Sequence, residues 1–140
     1  MKMNFLIVSK LLSSSITLLL AGYFVFSLCM LDVLFQTAHS IFYSIVTISS
    51  VILIAIHHYV SIRVKFDASI FDFLSQAKDR QHLDQLTQQL DESLIAFKLM
   101  SKHKAGRDWE LRFQGCMKLF KVQITLLIAQ FIVLIVIAMT

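Results

Sequence analysis

The sequence has no proline and only three glycines, Gly22, Gly106 and Gly115. Many short strands need turn residues at close intervals, so this shortage argues against an all-β fold. Cysteine is scarce too. Cys29 and Cys116 make no metal-ligand spacing. They fall toward opposite faces of the membrane topology derived below, which argues against a disulfide between them. Charge is the third shortage: charged residues make up 16% of the chain, against about 25% in an ordinary soluble domain. No run reaches five or six like charges, so the net charge of +4 gives no sign of a nucleic-acid-binding tail. The common nucleotide cradles, G-x-x-x-x-G-K-[ST] and G-x-G-x-x-G, are missing, as are H-E-x-x-H and G-x-S-x-G. The five histidines, His39, His57, His58, His82 and His103, are scattered. The expectation is a chain that is not an enzyme, with no catalytic residue, cofactor, metal or evident small-molecule substrate.

What is present is hydrophobic, at 57% of 140 residues, and arranged in blocks. Ser61 to Lys118 holds ten of the 13 Lys and Arg and eight of the nine Asp and Glu. Oily runs flank it on both sides. At about 1.5 Å per residue, 20 apolar residues cross a hydrocarbon core of about 30 Å. Leu11–Leu31 is a first span of this kind. Lys2 and Lys10 before it resemble the start of a signal peptide, but the apolar run is longer than a signal core and no small-residue cleavage site follows. Asp32–Ser40, with no Lys or Arg, reads as a tight turn. Ile41–Val60 is the second span. Ser40, Ser44 and Thr47 fall at i, i+4 and i+7 on it, a small-polar stripe of the sort that lets membrane helices approach closely. His57, His58 and Tyr59 close the span and read as interfacial anchors. Neighbouring residues point about 100° apart on a helix, so the two histidines do not chelate one ion. A single one as a haem ligand would need a partner from elsewhere.

Beyond the second span, Ile62, Phe66, Ile70, Phe73 and Ala77 mark one face of a continuing helix over 61–77. The phase then slips at Lys78–His82, with Asp79 as N-cap; one uninterrupted helix is the alternative. The next helix, 83–104, carries the stripe Leu83, Leu86, Leu90, Leu94 and Phe97. Asp84, Gln85, Gln88, Gln89, Asp91 and Glu92 face away from it into water. Lys102, His103 and Lys104 suit a helix C-terminus, with Gly106 at C′ and Asp108 as the next N-cap. A lead-in over 109–118 starts at Trp109, placed at the interface or on the preceding helices. It runs into a third span, 119–140, in which Gln130 is the one strongly polar group deep in the run. It is expected to hydrogen-bond to another helix.

The expected fold is therefore an all-α membrane protein. It has an N-terminal membrane hairpin over 1–60, a cytoplasmic amphipathic helical hairpin within 61–118, and a third transmembrane helix. Arg63, Lys65, Lys2 and Lys10 lie on one side, and by the positive-inside rule that side is the cytoplasm of a cell (inner) membrane, with the C-terminus across it. The expected partners are membrane lipid and another membrane protein or a second copy, without nucleic acid. The stripe Leu83–Phe97 is the candidate partner surface, and Ser40, Ser44, Thr47 and Gln130 are the candidate packing residues. The function expected is that of a non-enzymatic accessory, regulatory or assembly subunit. The alternatives are a homo-oligomeric pore or channel former, or a membrane immunity protein.

Overall fold

A computed structural model describes residues 2–35 and 41–139, with the side chains of Lys2 and Lys104 outside that set. All regular structure among the described residues is helical. The helices are α1 (Lys2–Ser13), α2 (Ser15–Phe35), α3 (Ile41–Ser75), α4 (Arg80–Ala96) and α5 (Trp109–Ala138), with a short 3-10 turn at Lys102–Lys104. Three stretches are long and apolar enough to cross a membrane: Met3–Phe35, Ile41–Ser75 and Trp109–Ala138, of 33, 35 and 30 residues. At about 1.5 Å per residue each reaches about 45–52 Å, longer than a hydrocarbon core of about 30 Å. Their outward faces carry large apolar side chains such as Leu20, Phe24, Ile48, Ile52, Phe131 and Ile135. Large apolar side chains exposed along the whole length of three helices are unusual on a water-soluble monomer.

α1 and α2 form one nearly continuous helix. At Ser14 the ladder tightens, with Ser14 N–H donating to the Leu11 carbonyl at 3.3 Å. The hydroxyls of Ser13 and Ser14 donate back to the carbonyls of Lys10 and Leu11 at 2.7 and 2.6 Å. Such back-bonding competes with the helix ladder and bends it. The helix thus starts at Lys2, nine residues before the expected span. The reason is a stripe in the first turns: Phe5, Ser9 and Leu12 are buried at spacings of four and three. The Ser9 hydroxyl donates to Asp72 on α3 at 3.4 Å.

The chain runs through α2 and α5 in the same direction and through α3 in the opposite one, since Gly22 and Gln130 both face His57 while Phe5 and Phe113 both face Phe71. Two apolar cores result. One gathers Phe5, Leu12, Val64, Ala68, Phe71, Leu74, Leu83 and Phe120 at the charge-bearing end, and the other joins Val25, Cys29, Val46 and Ile137 at the far end. The first core is closed by aromatic edges. Phe5 meets Trp109 at 4.9 Å and Phe113 at 5.2 Å between ring centroids.

α4 begins as its residues dictate. The Asp79 carboxylate accepts the His82 N–H at 2.7 Å, and the His82 ring accepts the Lys78 N–H at 3.2 Å. This reciprocal pair satisfies donors that a helix start leaves open. The end differs from the sequence reading. α4 stops at Ala96, not at Lys104, and Lys98 takes a left-handed φ of 57°. Leu99 N–H reaches the Leu94 carbonyl at 2.9 Å and Lys98 N–H the Ile95 carbonyl at 3.0 Å, which is a Schellman closure with lysine in the place glycine usually takes. Gly106 is also left-handed, at φ 69°, but it follows the 3-10 turn. The cause of the early stop lies in α5.

Candidate functional site

Between the two apolar cores lies a buried polar layer. Its residues recur one heptad apart: Ser15 and Gly22 on α2, Ser50 and His57 on α3, Gln123 and Gln130 on α5, all buried. Seven residues are close to two helical turns, so each pair stacks on one face. At the centre, Nδ1 of His57 lies 3.3 Å from Oε1 of Gln130; with a carbonyl oxygen as partner, Nδ1 carries the proton and donates. Gly22 makes this approach possible. A Cβ on residue 22 would lie 2.6 Å from His57 Nδ1 and 2.9 Å from Gln130 Oε1. One heptad toward the charged end, Gln123 Nε2 donates to the Ser15 carbonyl at the start of α2, at 2.8 Å. The other polar ends of these side chains, including His57 Nε2, Gln130 Nε2, Gln123 Oε1 and Ser15 Oγ, have no protein partner. The layer ties three helices into one register and leaves polar atoms over.

At the charged end, α4 is locked to α5. The guanidinium of Arg112 grips Asp91 with two parallel bonds, Nη1 to Oδ1 at 2.8 Å and Nη2 to Oδ2 at 2.7 Å. Gly106 N–H adds a third at 2.9 Å. Arg112 also lies over the Trp109 ring, 4.8 Å from its centroid. Burial alone would raise the Asp91 pKa; the hydrogen bonds from Arg112 and Gly106 and the charge of Arg112 outweigh it and hold the carboxyl below its ordinary value. This clamp explains the early end of α4. A helix carried on from Asp91 to residue 106 would put them about 22 Å apart at 1.5 Å per residue, out of reach of the Gly106 bond. Asp91 is accordingly 6% exposed, a correction to its place on the water-facing side: the partner that buries it is 21 residues on and has no signature in helical periodicity.

Beside the clamp opens a cleft of about 540 Å³ between α3, α4 and α5. Ile62, Phe66 and Ile70 form one wall. They belong to the stripe that marks one face of 61–77, of which Ala77 is buried and Ile70 also packs against the core. Most of the α3 share of the core comes from Val64, Ala68, Phe71 and Leu74, which continue the inner face from His57. The two stripes lie on different sides of α3, and the one in phase with the polar layer supplies most of the core. In the floor of the cleft the Cys116 thiol donates to the Asp67 carboxylate at 3.3 Å.

The remaining expected site residues fall as follows. Of the candidate partner stripe, Leu83 is buried and Leu86 and Leu90 are half-buried against the chain's own core, Leu94 lines the cleft, and Phe97 stands out at 76% exposed. Of the proposed packing stripe, Ser40 lies outside the described residues and Ser44 is exposed. Thr47 turns its hydroxyl to the Tyr43 carbonyl at 2.8 Å. The contact face of α3 is Val46, Ser50, Ile54 and His57 instead, because the bundle selects the face in register with the polar layer. Gln130 bonds across helices to His57. His57 is therefore not an interfacial anchor: it is 0% exposed. Its neighbour His58 is exposed and pairs with the Tyr23 hydroxyl at 2.9 Å, and Tyr59 is open. Of its two expected places, Trp109 takes the one on the preceding helices, against Phe5 and Phe71.

No group of three or more His, Cys, Asp or Glu side chains converges on a metal-sized space among the described residues. No protein family, curated protein or solved structure matches this chain.

The polar layer leaves only a trace in the sequence. Gly22, His57 and Gln130 each sit seven residues from another polar or small residue, a spacing that gains meaning only once packing shows which faces meet. Phe5 leaves the same kind of trace, in its spacing to Ser9 and Leu12.

Proposed function

We propose that this chain is a small integral membrane protein that acts as an accessory or assembly subunit through its surfaces rather than through catalysis. Its N-terminus and the region 61–118 face the cytoplasm across a cell membrane. The observation that carries the reading is the direction in which polarity points. The amide and imidazole groups of His57, Gln123 and Gln130 are buried and bond across helices, His57 to Gln130 and Gln123 to the Ser15 carbonyl, while the outer faces are apolar apart from the exposed Tyr23–His58 pair. Membrane bundles associate by such interior packing and interhelical bonds, and a chain built this way presents lipid or another membrane helix with a mostly oily exterior. The exterior hydroxyls of Ser27, Thr47 and Thr125 donate to carbonyls of their own helices, which favours packing over the lining of a pore. On the cytoplasmic side α3, α4 and the start of α5 form a helical cap, on which Phe97 and Leu99 are exposed apolar groups beside the cleft. These two are the contact we assign to a partner protein.

The test is photocrosslinking in cells from positions 97 and 131, with alkaline carbonate extraction and native-gel mass in detergent. The chain stays in the carbonate-resistant membrane pellet and yields a discrete crosslinked species from position 97. A chain released by carbonate, or a strictly monomeric one with no crosslinked product from either position, overturns the proposal.

A further inference from the structure

The cleft beside the Asp91–Arg112 clamp has features that the accessory role does not use. Its walls are mostly apolar, and its charged lining is three guanidiniums, Arg63, Arg107 and Arg112, against one carboxylate, Asp67. Arg112 is already matched, since its pair with Asp91 is the one ion pair among the described residues. Asp67 accepts the Cys116 thiol and feels Arg63 only at longer range. The cleft is thus left with more positive charge than its own carboxylate offsets, at Arg63 and Arg107. Tyr59 and Leu119 line its other end, at the level where the second span ends and the third begins. An apolar slot of this size, with two guanidiniums against one carboxylate once Arg112 is paired, suits one class of ligand at the surface of a membrane. That ligand has an acyl chain for the slot and a phosphate for the arginines, whose planar forks match phosphate oxygens.

We propose that this cleft is a binding site for an anionic phospholipid, with an acyl chain along Ile62, Phe66 and Ile70 and the phosphate held by Arg63 and Arg107. Space for the chain is kept at Gly115, which lines the cleft and where an added Cβ would meet nothing within 4 Å. A glycine in mid-helix costs about 1 kcal/mol against alanine, so the open wall is kept at the expense of helix stability.

The inference rests on the membrane reading above, and the experiment separates the two. The full chain is purified in mild detergent and mixed with phosphatidylglycerol or phosphatidylcholine of identical acyl chains, and lipid adducts are counted by native mass spectrometry. One phosphatidylglycerol is retained per chain, about tenfold in preference to phosphatidylcholine, whose phosphate is the same but whose choline brings a positive charge up to the arginines. The double variant Arg63→Gln/Arg107→Gln loses the preference. Gly115→Leu fills the slot and loses the adduct with either lipid, while its melting temperature holds or rises. Equal retention of the two lipids by the native chain, or an adduct that survives in a folded Gly115→Leu protein, overturns the site. Carbonate extraction of the same membranes reports on the membrane reading independently: a chain that washes off yet keeps its phosphatidylglycerol adduct refutes that reading and leaves the site standing.

Discussion

At Gly22 one methyl group decides whether the polar layer closes. Added there, it would lie 2.6 Å from the His57 ring nitrogen, a separation no relaxed contact tolerates, and the ring is walled in. We expect Gly22→Ala to lower unfolding stability by about 1–3 kcal/mol, the usual cost of overpacking a filled interior. In a His57→Ala background the same change has room, and the penalty falls below about 1 kcal/mol, because residues in contact couple. Denaturation midpoints in detergent micelles measure both, and equal penalties in the two backgrounds would refute the steric account. The sequence shows Gly22 only as a glycine in an apolar run. That it faces a histidine 35 residues on and a glutamine 108 residues on comes from packing.

At the scale of elements, the helix starts were more legible than the ends. Asp79 caps α4 as its chemistry suggests, because a cap is local and needs only the next three residues. The end of α4 was misread because lysines and Gly106 form a good local stop, while the stop used at Lys98 is imposed by Asp91 reaching α5. That clamp should show in pH dependence. The folded carboxyl of Asp91 sits below its ordinary value, so the folded state binds its proton less readily than the unfolded chain does. Its stabilisation is full above the ordinary aspartate range of about 4 and is lost as pH falls through the depressed folded value. A melting-temperature profile from pH 7 downward should therefore decline more steeply for the native chain than for Asp91→Asn, which should itself be less stable at pH 7. Parallel profiles would show that the clamp does not link α4 to stability.

The whole molecule closes through its first turn. Phe5 touches Phe71, Trp109 and Phe113, joining the N-terminal helix to α3 and α5. Phe5→Ala should cost about 3–5 kcal/mol, as for other large aromatic truncations. It should also open the cluster around Trp109, the only tryptophan of the chain, so that its fluorescence shifts to longer wavelength in the folded protein. An unchanged emission maximum would mean that α1 does not hold this core.

Composition and short-range periodicity suffice to show that the chain is helical and that three stretches are long and oily enough to span a membrane. The sequence also placed the charge in one block, and α4 between Asp79 and a later turn. These follow from composition and from periods of a few residues, which local physics sets. Only the tertiary structure decided which face of each long helix points inward. In water the apolar face is the inner one, so hydropathy reveals it. In a membrane-type bundle the outside is apolar as well, and hydropathy no longer tells the faces apart. Inside and outside are then separated by fit and by hydrogen bonds between distant residues: Gly22 against His57, His57 against Gln130, Gln123 against the Ser15 carbonyl, Asp91 against Arg112. Each joins positions too far apart in sequence for any local pattern to pair them.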